Sequence, residues 1–123
     1  MLVAWNASRE AARAVNDALP ILQRAATVVI LAVNPHGGPR GHGEAPGADI
    51  ALHLARHGVK AEAEWFQAED LAVGEALLSR AADLSVDLVV MGAYGRTRVR
   101  ELILGGATRA MLQAMTTPVF MSH

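Results

Sequence analysis

The chain has 123 residues, 52% of them hydrophobic, which suits one domain with a real core and argues against disorder. Its formal net charge is −1, so no general electrostatic pull toward nucleic acid or an anionic membrane is expected. It has no cysteine, which excludes disulfides, thiol catalysis and cysteine-ligated zinc.

In chain order, Leu2 to Trp5 is a short apolar strand, broken by Asn6-Ala7-Ser8. Ser8 is placed to cap a helix whose first turn carries Glu10 and whose inward positions are Ala11, Ala12, Val15, Ala18, Leu19 and Leu22. Pro20 sits inside that pattern and is expected to kink it. Thr27 to Val33 is a β-branched, apolar second strand. Asn34 to Gly47 holds five glycines and three prolines, a composition expected to form a mobile loop. Ala48 to Arg56 is a helix with Ile50, Ala51 and Leu54 inward and Gly58 as its stop. Val59 to Phe66 is a third strand, and Asp70 to Leu84 a helix carrying Leu71, Leu77, Leu78 and Ala81.

The stretch from Asp87 to Thr108 organises the rest. Leu88-Val89-Val90-Met91 is apolar on both faces, as in a buried parallel strand. Gly92 and Gly95 follow at once, where glycine permits a tight turn and leaves N–H groups uncovered. Gly105-Gly106 comes next, and Ala107, Ala110, Met111, Ala114 and Met115 then recur at helical spacing. Strand, glycine-rich loop and helix start together read as an anion site, usually for phosphate. Pro118 to Ser122 closes the chain as a fifth strand.

The alternation of strands and helices argues for a parallel sheet covered on both faces, whose ligands bind beyond the carboxyl ends of the strands. No apolar run approaches ~18 residues and no basic, then apolar leader is seen, so the expectation is a cytoplasmic protein with no membrane span and no nucleic-acid partner.

The spacing Gly92-x2-Gly95-x9-Gly105 resembles the nucleotide-binding signature of the universal stress protein family. Leu2 to Ser8 looks like that family's first strand and loop, and Thr117 to Met121 is similar to its last strand, so the resemblance covers essentially the whole chain, residues 1–123, as a single domain. It implies an α/β fold: a five-stranded, doubly wound parallel sheet of order 3-2-1-4-5 with helices on both faces. The first and fourth strands would then flank one crevice. There, by resemblance, backbone at Ala4, Trp5 and Val33 frames an adenine and Asn6 takes the ribose role of the usual aspartate. Ser8, Gly92, Gly95, Gly105, Gly106, Ala107 and Thr108 surround the phosphates of ATP, Arg96 adds a charge there, Met91 also belongs to the nucleotide site, and Mg2+ accompanies the nucleotide.

Two positions depart from the family pattern: Asn6 replaces the aspartate, and Gly106 the serine or threonine after the third glycine. Each exchange removes roughly 1 kcal/mol of hydrogen bonding, and the two together amount to about thirtyfold in affinity.

The resemblance also implies pairing through the last strand, with Val119, Phe120 and Met121 at the edge of a homodimer or of a tandem partner domain; an apolar edge strand invites such pairing. The first strand begins at residue 2, which suits the second half of a tandem protein. The alternative is an interaction module of the same fold without nucleotide.

His53 and His57 stand at i, i+4, a spacing that can hold a metal on one helical face. No further ligand lies at a diagnostic spacing, and His36 and His42 fall in the glycine loop, so solvated histidines and no metal site are expected. None of the carboxylates of Glu69, Asp70 or Glu101 falls in a motif for a general base, and both the Walker-type loop and the nucleophile elbow are missing. An enzyme is therefore not expected, beyond the slow ATP hydrolysis that some family members show.

Overall fold

The computed structural model describes residues 1–33, 46–67, 73–92, 111, 113–114 and 116–122. Five parallel strands form one sheet: β1 (Leu2–Ala4), β2 (Val28–Val33), β3 (Ala61–Phe66), β4 (Val89–Gly92) and β5 (Val119–Ser122), in the order β3-β2-β1-β4-β5. This is the expected order. Val3 pairs with Ile30 on one side and Val90 on the other, so three apolar strands lie side by side at the centre.

Handedness then distributes the helices. The steps β1 to β2 to β3 run one way along the sheet, and right-handed crossovers put α1 (Arg9–Asp17), α2 (Leu19–Leu22) and α3 (Ala48–Arg56) on one face. The chain then passes beyond β1 to reach β4, and α4 (Val73–Asp83) covers the opposite face. Side chains alternate accordingly. Val3, Ile30 and Val90 meet Val15, Leu22 and Leu54 in one layer, while Leu2, Val29, Leu31, Val89 and Met91 meet Leu77, Ala81 and Met111 in the other. Each fully buried aliphatic side chain is worth roughly 1.5–3 kcal/mol, so the two layers hold the sheet from both sides.

Local signals are mostly met. The Ser8 hydroxyl caps α1, accepting from the Ala11 N–H at 3.0 Å. α3 spans the expected residues and stops at Gly58, whose φ is +81°. The Gly58 N–H donates to the Ala55 carbonyl at 3.1 Å and the Val59 N–H to the Leu54 carbonyl at 3.0 Å. This is a Schellman end, with Val59 buried beside it. On α4, Arg80 ties the helix to edge strand β3 through Glu64, 2.7 Å away. That pair is about one-third exposed, so it contributes at most about 1 kcal/mol.

Three expectations are corrected. Pro20 does not kink one helix; it separates two. α1 ends at Asp17, Ala18 takes φ −88° and ψ −1°, and α2 starts afresh with proline in its first turn. A proline ring there would clash with the Asn16 carbonyl of a continuous helix, whereas a first-turn proline leaves no hydrogen bond unmade. Gly92, expected to follow the strand, is instead the last residue of β4, and its φ is not positive. Ala114, assigned to the inward face of the last helix, is exposed, while Met111 is fully buried. Residues 34–45 of the expected loop lie outside the described residues, as do Asp70 and Leu71 of the expected helix start.

Candidate functional site

At β1 and β4 the strand order reverses, and the chain leaves these neighbours in opposite directions. β1 stays paired one residue past its end, the Trp5 N–H donating to the Leu31 carbonyl at 2.9 Å. A three-residue loop follows. Ala7 takes a left-handed φ of 59°. Asn6 Oδ1 accepts from the Ser8 N–H at 3.1 Å, an Asx turn, and Ser8 Oγ then caps α1. Two side-chain oxygens therefore shape the loop and aim the first turn of α1.

That first turn lies directly against the end of β4. A Cβ placed on Gly92 would fall 2.6 Å from the Ala11 nitrogen and 2.6 Å from the Glu10 carbonyl carbon. Both are backbone atoms, so only glycine admits this approach. The first turn of α1, which follows the loop Asn6–Ser8, thus meets the end of β4.

The other expected contacts divide clearly. Ala4 and Val33 are half-buried against the α4 layer, and Trp5 is half-buried against the α1–α3 layer. Met91 is buried in the core, so what it can offer a ligand is backbone. Asn6 is exposed, with its amide nitrogen clear of the Asx turn. Gly95, Arg96, Gly105, Gly106, Ala107 and Thr108, called as phosphate contacts, lie outside the described residues.

Sequence reasoning gave Glu10 only the role of a helix-dipole complement. In the structure its side chain is 13% exposed, and its Oε1 is buried with no hydrogen-bond partner among the described residues. Arg9 approaches the other oxygen only to 3.9 Å. The signal was present in the spacing: Glu10 precedes the buried Ala11, and Ala14 and Val15 continue the same inward face. Among the described residues, Arg9 is the cation paired with this half-buried carboxylate, which stands at the foot of α1 and is adverse to a bare anion.

Val119, Phe120 and Met121 form the outermost strand and are each half-buried. The Ser122 hydroxyl donates to Asp17 Oδ2 at 2.7 Å, which fastens the end of that strand to α1. Among the described residues, no cluster of three or more His, Asp or Glu side chains is arranged to hold a metal, and no helix is long and apolar enough to cross a membrane.

Comparison with known proteins converges on one family. The family model described as the universal stress protein family matches residues 1–123. A universal stress protein of Synechocystis is 36% identical over 69 residues, 54% of this chain and 22% of that protein. One from Methanocaldococcus jannaschii is 31% identical over 58 residues, 44% of this chain and 36% of that protein. The matched stretches thus span well under half of these relatives.

Solved structures agree in fold. The protein UspA of Lactobacillus plantarum superposes with a TM-score of 0.76 at 19% identity, over 99% of this chain and 95% of its own. A universal stress protein in complex with cAMP gives 0.71 at 20% identity, over 99% and 94%. A family protein of Arabidopsis thaliana with AMP bound gives 0.63 at 19% identity, over 98% and 88%. With the strand order, the packed crevice and a family match over the entire chain in agreement, this chain belongs to the universal stress protein family.

Proposed function

We propose that the crevice between the ends of β1 and β4 binds an adenine nucleotide, ATP with Mg2+ foremost, and that the protein acts as a stress-response sensor or regulator by reporting occupancy through dimer contacts. The observation that carries this reading is the direct packing of the Ser8-capped turn of α1 on Gly92 at the switch point of the sheet. Solved members with cAMP and AMP support the ligand class.

In this reading Ala4, Trp5 and Val33 frame the adenine, and the free side of the Asn6 amide faces the ribose. Gly92, Gly95, Arg96, Gly105, Gly106, Ala107 and Thr108 take the phosphates, and a divalent cation offsets the Glu10 carboxylate. In this reading the protein binds its ligand and reports on it. Val119, Phe120 and Met121 supply the pairing edge.

Calorimetric titration with ATP and magnesium, after removal of co-purified nucleotide, tests the reading. Micromolar binding that Gly105→Val abolishes while the fold persists is the expected result. Asn6→Asp should tighten that binding about fivefold, the worth of ~1 kcal/mol.

A second reading has its own support. Asn6 Oδ1 and Ser8 Oγ both serve the backbone, and Glu10 Oε1 is buried without a hydrogen-bond partner among the described residues. A crevice of that kind suits an interaction module that has given up its nucleotide. No heat with ATP, together with a dimer by light scattering that charged substitution at Phe120 dissociates, would select it.

A further inference from the structure

α3 carries His53 and His57 one turn apart, on the flank that meets α1 and α2. The ring centroids are 4.6 Å apart and the planes incline at 49°. Each ring is held by a hydrogen bond of fixed direction. His57 Nδ1 lies 2.8 Å from the His53 carbonyl oxygen, and His53 Nε2 lies 3.2 Å from Asn16 Oδ1. Both partners are oxygens that only accept, so both of these nitrogens carry the proton. In the neutral rings one lone pair remains on each: Nδ1 of His53 and Nε2 of His57. A hydrogen bond on the second nitrogen is the arrangement that fixes the tautomer of metal-ligating histidines.

The separation fits a shared ion. Metal–imidazole bonds of 2.0–2.1 Å set an ion about 3.2 Å from each ring centroid. With both free nitrogens turned to one ion, centroids 4.6 Å apart would subtend about 90° there, the cis angle of square-planar and octahedral coordination. Imidazole pairs at that angle suit copper(II) or nickel(II) better than tetrahedral zinc.

We propose that His53 and His57 form a two-imidazole site for a divalent copper or nickel ion, with Asn16 as a positioning residue. Water completes the coordination, since no third protein ligand is arranged there among the described residues. The occupied site clamps three elements. Asn16 belongs to α1, His53 and His57 to the end of α3, and Gln23, just after α2, donates to the His57 carbonyl at 2.9 Å.

The test uses the full chain, stripped with chelator and titrated with copper(II) and, separately, nickel(II). One equivalent is expected to bind with two-nitrogen hyperfine structure in the copper resonance spectrum, and saturating ion should raise the melting temperature by several degrees. His53→Gln and His57→Gln should each weaken binding at least about tenfold. Asn16→Ala should weaken it less and alter the nitrogen hyperfine pattern, while Asn16→Asp, which keeps an accepting oxygen, restores both. A His36→Gln/His42→Gln double variant should bind normally. In unaltered protein, substoichiometric copper should broaden the ring signals of His53 and His57 together. Unchanged affinity in either single variant, loss in the double variant, or broadening of one ring alone overturns the site.

Discussion

Ala7 and Gly92 stand on the two sides of the crevice, and each position makes a demand that glycine meets. Ala7 bends left-handed, with φ of 59°, where a glycine would rest without strain. Gly92 is an ordinary strand residue that needs no unusual dihedral but has no room for a side chain. Two glycine-like demands thus have different origins, rotation at one and space at the other. Space is the harder demand. A left-handed alanine costs about 1–2 kcal/mol, whereas a methyl pressed onto helix backbone must displace the helix.

The largest expected effect tests that ranking. Gly92→Ala should destabilise the fold by about 3 kcal/mol, read by urea denaturation, because the atoms it meets are the backbone of Glu10 and Ala11. It should also move α1 off β4, so nucleotide binding should fall along with stability. An alanine variant as stable as the unaltered protein would mean that the turn of α1 yields freely and that the crevice is not set by contact.

Glu10 comes next, because it lies at that same contact. Its buried, unpartnered oxygen carries a desolvation penalty of about 1–3 kcal/mol, against roughly 0.3–1 kcal/mol gained from the helix N-terminus. Glu10→Ala should therefore stabilise the fold by about 1 kcal/mol. It should also reduce the magnesium dependence of ATP binding in paired titrations with and without the ion. Ala7→Gly should gain less, about 0.5–1 kcal/mol, since relief of the left-handed strain is partly offset by glycine's added unfolded-state freedom. Equal gains from Ala7→Gly and Glu10→Ala would place the strain of the crevice evenly on its two components.

The fold was readable because its signals are strong and local. Continuous apolar runs gave the central strands, Ser8 gave a helix start, and Gly58 gave a helix stop. The order of the strands came from resemblance and was met in the structure. At the candidate site the sequence supplied the residues but not their relations. It could not show that Asn6 turns its oxygen onto the Ser8 N–H, because that choice depends on loop dihedrals. Nor could it show that Gly92 serves close approach, because that depends on where α1 crosses the sheet. Pro20 misled because both a kink and a new start satisfy its ring, and only the packing of Leu22 into the core favours the new start. Ala114 misled because alanine is a weak marker of a buried face.

The same distinction between rotation and space recurs away from the crevice, where it can be measured alone. α4 ends as α3 does: the Ser85 N–H donates to the Ala82 carbonyl and the Val86 N–H to the Ala81 carbonyl, each at 3.1 Å. Yet the left-handed position is glycine in one helix end, Gly58, and serine in the other, Ser85, with φ of 51°. A Cβ at Gly58 would meet nothing within 4 Å, so Gly58→Ala isolates the dihedral cost, about 1 kcal/mol of destabilisation. Ser85→Gly is the reciprocal change and the smallest of the set, a gain of about 0.5 kcal/mol once glycine's unfolded-state entropy is counted. Thermal melts of the two variants should shift in opposite directions, with Gly58→Ala the larger. If Ser85→Gly destabilises instead, the serine side chain contributes more to that helix end than its backbone strain costs, and the analogous substitution at Ala7 becomes the cleaner measure of rotation alone.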